Sequence, residues 1–179
     1  MALFIVDFQE RLAAAMPEPE REACERNVLL LIELAHRQGW PILVSEQYPK
    51  GLGTTVSPVA SALAAKPELV SKLEKLHFAA TDAPEFEQVF AGIKRARWVV
   101  TGMETHVCVY QTVRGLLARG RHVHVPEDAV LSRRLGHRAR GLGMIQELGG
   151  VVTITETVIF DALKVAGTDD FKSLSKRLR

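Results

Sequence analysis

Apolar residues along the chain follow two rhythms. Short runs that are apolar almost without interruption stand at 2–7 ("ALFIVD"), 41–47 ("PILVSEQ"), 96–103 ("ARWVVTGM") and 151–156 ("VVTITE"). Runs of this length, closed by polar residues, predict strands buried on both faces of a sheet. "HVHVPEDAV" from His122 predicts a strand with a turn, and "LVSKLEK" at 69–75 a further strand, although a helix would also accept it. Between these runs the period changes. Cys24, Val28, Leu31, Ile32 and Ala35 fall at i, i+4, i+7, i+8 and i+11, one stripe of a helix that starts near Glu20 and stops at Gly39. Helical spacing recurs at 82–93, with Asp82 as cap and Pro84 near the first turn, at 107–119 before Gly120, at 133–149, and through the C-terminus. "YPKGLGTT" after the second strand reads as loop.

Strands alternating with helices call for a parallel sheet covered on both faces, an α/β sandwich of three layers. Ligands of such sheets sit beyond the C-terminal strand ends. Asp7, Gly102-Met103 and Lys75 occupy three of those ends. No GxGxxG or GxxxxGK[ST] occurs, so neither dinucleotide nor P-loop chemistry is predicted. The length of 179 residues suits one domain spanning 1–179. Its 23 basic and 21 acidic residues are scattered, which predicts no nucleic-acid partner, and the basic end "KSLSKRLR" reads as a solvated face. Two cysteines give no disulfide framework and the start resembles no secretory signal, so the expected location is cytoplasmic. No apolar run reaches the ~20 residues of a membrane span, so no membrane partner is expected.

Cys108 falls in the first turn of the helix after "ARWVVTGM", where the helix dipole and free amides favour thiolate. Cys24 lies on a buried stripe. Position alone leaves Cys108 equally readable as a small core residue. A wider pattern adds to it. "VDFQ" at 6–9, "EKLHFAA" at 74–80 and "GMETHVCVYQT" at 102–112, in this order and at these intervals, resemble the isochorismatase-like cysteine hydrolases. "SEQYPKGLGTTV" at 45–56 resembles the isochorismatase domain-containing subgroup more than nicotinamidases. The resemblance implies a six-stranded parallel sheet in Rossmann-like order 3-2-1-4-5-6. It also implies a catalytic Asp7, Lys75 and Cys108, a cis peptide between Met103 and Glu104, and an oxyanion held by the amides of Glu104 and Cys108. A carboxylate beside a thiol can take its proton, and an ammonium beside both offsets the repulsion. Taken singly, Asp7 could cap a strand end and Lys75 could snorkel from an apolar surface. Gln9 reads as a structural hydrogen bond to the loop, and Thr105 as either a helix cap or a support of the oxyanion loop.

His122 and His124 share a strand face, but two ligands do not make a zinc site, and no metal or cofactor is expected. Metal-dependent nicotinamidases carry Asp-x-His after the second strand, where this chain reads "SEQYPKGLG". His106 is a poor papain-like base. Loop position assigns Tyr48, Pro49, Leu52, His77 and Phe78 to the pocket wall, with Glu46 and Gln47 as polar contacts. The resulting expectation is a metal-free cysteine hydrolase of a C–N bond in a small carbonyl compound, assembled as a homo-oligomer. Two alternatives stay open: a non-catalytic or thiol-sensing binding protein on this fold, and a vinyl-ether hydrolase of the isochorismatase type.

Overall fold

A computed structural model describes residues 1–178. The strands are β1 (Ala2–Val6), β2 (Ile42–Gln47), β3 (Val70–Lys75), β4 (Arg97–Met103), β5 (His122–Pro126), β6 (Val130–Leu131) and β7 (Val151–Thr153). The helices are α1 (Glu10–Ala14), α2 (Glu20–Gln38), α3 (Pro49–Leu52), α4 (Ser57–Leu63), α5 (Phe86–Gly92), α6 (Tyr110–Ala118), α7 (Leu135–Glu147), α8 (Thr155–Leu163) and α9 (Asp169–Ser175). All pairings are parallel, in the order β3-β2-β1-β4-β5-β7, with β6 added against β4.

The main path runs in the six-strand order that the resemblance implied, 3-2-1-4-5-6, with β7 in sixth place and the two-residue β6 as an extra strand beside β4. The segment "HVHVPEDAV" divides: β5 ends at Pro126, which has no N–H to extend the ladder, and the turn at Glu127–Ala129 returns the chain to β4, where Val130 pairs with Gly102. "VVTITE" stops at Thr153, because the N–H and hydroxyl of Thr155 both donate to Asp128 Oδ1 at 2.8 Å and start α8. Asp82 closes a short 3-10 turn and caps no helix, since α5 begins only at Phe86.

Every residue of β1 is fully buried, and its alternation divides the core in two. Leu3 and Ile5 join Leu31, Val44, Val59 and Ile159 on one face. Phe4 and Val6 join Phe86, Trp98, Val113 and Ile145 on the other. Each large side chain so buried is worth ~1.5–3 kcal/mol. β1 and β4 approach so closely at their ends that a Cβ on Gly102 would lie 1.9 Å from Val6 O, and Gly102 also holds φ +114. Only glycine fits there. This contact brings the segment after β4 against the residue after β1.

Candidate active site

Asp7 follows β1 with φ 50, a left-handed conformation that Asp tolerates better than most residues. Its N–H donates to Ser45 O at 3.0 Å. Asp7 Oδ1 accepts from Ser45 Oγ at 2.7 Å, and Oδ2 accepts from Lys75 Nζ at 2.6 Å. Register produces this meeting. Val6 pairs with Ser45 and Gln47 with Lys75, so the ends of three adjacent strands converge. Lys75 also donates to Gln47 Oε1 at 2.8 Å and to Phe78 O at 3.2 Å, which uses all three ammonium hydrogens. Both side chains of the Asp7–Lys75 pair have no exposed surface. Lys75 does not snorkel.

Cys108 is 5% exposed, and the Asp7 carboxylate and the Lys75 ammonium both act on its thiol. Burial pushes its thiol up to about 12, and the charge of Asp7 adds to this while Lys75 opposes it. Burial and the Asp7 charge oppose the thiolate that the helix terminus was expected to favour. Thr105–Val109 winds as a wide π turn ahead of α6, and an adjacent buried carboxylate with desolvation outweighs the dipole. Burial pushes Cys24 up to about 12 as well, with Arg138 opposing the rise and Asp128 adding to it.

The Met103–Glu104 peptide is cis. The carbonyl of Glu104 accepts from the N–H groups of Val107 and Val109, while its side chain accepts from Arg133 N and Nε at 3.0 and 3.1 Å. Burial raises the Glu104 carboxyl, but the bonds from Arg133 more than offset it and hold the group below its ordinary value. Glu104 is thus a staple between the end of β4 and the segment after β6. Thr105 is fully buried, and its hydroxyl has no partner among the described residues, so it caps nothing. His106 turns toward Ser132 Oγ (3.1 Å) and His137 (ring centroids 4.7 Å apart).

The expected pocket residues separate into two groups. Glu46 and Gln47 point inward: Glu46 Oε1 accepts from the N–H and hydroxyl of Thr55, and Gln47 bridges Lys75 to Leu76 O. Gln9 binds the peptide groups of Gln47 and Gly53, so it ties the 48–53 loop to β2. Tyr48 and His77 line a cavity of about 450 Å³ together with Pro49, Leu76, Pro84 and Glu85. That cavity adjoins the site at Lys75, and neither Asp7 nor Cys108 lines it. Phe78 lies 56% exposed and touches the site through its carbonyl, while Leu52 is half-buried outside the cavity lining. Ser45 had no signal in the sequence, because its role depends on strand register. Thr112, whose hydroxyl accepts from Ala80 N at 3.0 Å and fixes the segment after Lys75, is equally silent. No three His, Cys, Asp or Glu side chains converge as metal ligands among the described residues.

The family model described as "Isochorismatase domain" matches residues 1–157. The chain is 37% identical over 141 residues to the secreted isochorismatase effector Isc1 of Phytophthora sojae, an alignment that takes in 78% of this chain and 66% of that protein. It spans about half the length of the fish isochorismatase domain-containing proteins it matches at 35% identity. Among solved structures, the MAR1 ribonuclease of Caenorhabditis elegans superposes with TM-score 0.87 at 32% identity, over 99% of this chain and 88% of that one. The ycaC gene product of Escherichia coli, described as an octameric hydrolase of unknown specificity, shares the fold with TM-score 0.89 at 18% identity, over 98% and 86%. With the domain match covering most of its length and strand ends that bring Asp7, Lys75 and Cys108 together, this chain belongs to the isochorismatase family.

Proposed function

We propose that this chain is a metal-free cysteine hydrolase that cleaves the C–N bond of a small carbonyl compound through a thioester on Cys108. The observation that carries the reading is a buried thiol under the charge of a carboxylate that is itself paired, at 2.6 Å and out of solvent, with an ammonium. Such a set stores a base beside a nucleophile. In the first step the sulfur attacks the carbonyl carbon while the thiol proton passes to Asp7. The carbonyl electron pair moves to oxygen, with the amides of Glu104 and Cys108 as the proposed donors to it. Collapse expels the amine, which takes the proton from Asp7 and leaves the thioester. Water then gives a proton to Asp7 and attacks the thioester; the departing sulfur recovers that proton, and the acid is released. Lys75 keeps its charge throughout and balances whichever partner is negative. The exposed Tyr48, Leu76 and Phe78 beside the site favour a small apolar or aromatic substrate. Free cysteines and a cytoplasmic, reducing setting agree with thiol chemistry.

The test is a panel of small aliphatic and aromatic amides, read by ammonia release and by intact mass. A substrate should leave an acyl adduct on Cys108, and Cys108→Ala should abolish adduct and turnover. Asp7→Asn should lose at least about a hundredfold in turnover, yet its Cys108 should alkylate faster with iodoacetamide near pH 8, because the repelling carboxylate is gone. RNA and a vinyl ether serve as control substrates. Hydrolysis of either that survives Cys108→Ala would sink the thioester reading, and ligand binding without any turnover would favour a sensing role.

A further inference from the structure

The free edge of the sheet carries a pattern that the site does not use. β3 is the end strand and pairs only with β2. Its phase is fixed by the bond from Tyr48 N–H to Lys75 O at 2.9 Å. The peptide groups of Ser71, Leu73 and Lys75 therefore face β2, and those of Lys72 and Glu74 face outward, while the N–H of Val70 is taken by Pro67 O. Among the described residues, no backbone group meets Lys72 or Glu74 on the outer side, and both side chains are exposed.

An open edge is a template for pairing, and charges of one sign along it repel every copy. Here the outward residues carry opposite signs two positions apart. We infer that two copies of this chain pair antiparallel along β3, about a two-fold axis at Leu73. Antiparallel hydrogen-bonded pairs form between outward-facing residues, so even-numbered positions must meet even-numbered positions. A pairing centred on Lys72 or on Glu74 sets that residue against its own copy, charge against like charge. The pairing centred on Leu73 sets Lys72 of each copy opposite Glu74 of the other, two favourable cross-strand pairs related by the axis.

Apolar surface agrees with the same register. Leu76, just past β3, is 73% exposed. Centring on Leu73 brings it across from Val70 of the other copy, at a groove of about 320 Å³ lined by Thr55, Ala60, Leu63, Pro67 and Val70. The two sheets become one continuous sheet through the axis. Glu74 and Leu76 also line the cavity beside Lys75, so the second copy closes one side of that cavity. The inference rests on the strand edge alone and stands apart from the hydrolase reading.

Sedimentation velocity at micromolar concentration and low salt tests it, with the wild type, Lys72→Glu, Glu74→Lys and the double exchange. The wild type should sediment as a dimer or a multiple of one. Each single variant places like charges at both pairs and should weaken that contact by roughly tenfold or more. The decisive sample is an equimolar mixture of the two singles. Mixing puts Glu against Lys again and should restore the association, as should the double exchange. Restoration also shows that the singles are folded. A monomeric wild type, single variants that assemble like the wild type, or a mixture that stays dissociated would each overturn the pairing.

Discussion

The Asp7–Lys75 contact is an ion pair with no exposed surface, and such pairs return little net stability, because removing both charges from water costs as much as their attraction recovers. Its place at the meeting of three strand ends fits the proposed chemistry instead. Breaking it should be far more costly than never having it. Lys75→Met leaves the Asp7 carboxylate buried with the Ser45 hydroxyl as its remaining side-chain hydrogen-bond partner, and should lower the unfolding free energy by about 3–5 kcal/mol. Adding Asp7→Asn removes the stranded charge and keeps a residue suited to φ 50, so the double variant should regain most of that loss while remaining inactive. Urea unfolding of the single and double variants measures both. A Lys75→Met chain as stable as the wild type would mean that the carboxylate is not held as an ion by the ammonium.

At the scale of elements, the proposed nucleophile Cys108 rides on a turn that α7 packs against. Gly141 lies against that turn: a Cβ there would sit 2.8 Å from His106 N and 2.9 Å from Thr105 C, both backbone atoms with little freedom to yield. Gly141→Ala should shift the turn that carries Cys108, costing about 1–3 kcal/mol in stability and more than proportionate activity, since misplacement by ~1 Å can cost about a hundredfold in rate. A thermal melt beside a turnover assay checks it, and unchanged turnover would separate α7 from the placement of Cys108. This dependence was not legible in the sequence, where Gly141 is one glycine in a helical stretch. The strands were legible, because "ALFIVD" and "ARWVVTGM" are buried on both faces and need no context to declare it. So was the meeting of Asp7, Lys75 and Cys108 beyond the strand ends, through motifs. α4 was missed because seven residues of small and apolar side chains give no long period. Gln47 was legible as a polar group near the site but not as the acceptor that orients Lys75, since that role comes from the pairing of β2 with β3.

For the molecule as a whole, both thiols are buried, one in each layer of the core, and both are pushed up to about 12. An acid whose folded value is raised binds its proton more tightly when folded than when unfolded. Its contribution is fully present below the unfolded thiol value near 9 and is lost as pH rises through about 12. The unfolding free energy should therefore hold steady up to about pH 9 and then fall, each thiol adding roughly 1 kcal/mol per pH unit to the slope. Lysines and tyrosines titrate in the same window, so the contrast between variants isolates the thiols. Cys24→Ala and Cys108→Ala should each make the decline shallower, and together shallower still. The comparison also reports the proton state of the nucleophile in the resting protein. If Cys24→Ala flattens the decline and Cys108→Ala leaves it unchanged, then Cys108 has already lost its proton near neutrality, and Asp7 acts on the leaving amine and the water without serving as the base for the thiol. If both contribute, the thiol keeps its proton until a carbonyl arrives, and Asp7 is the group that removes it.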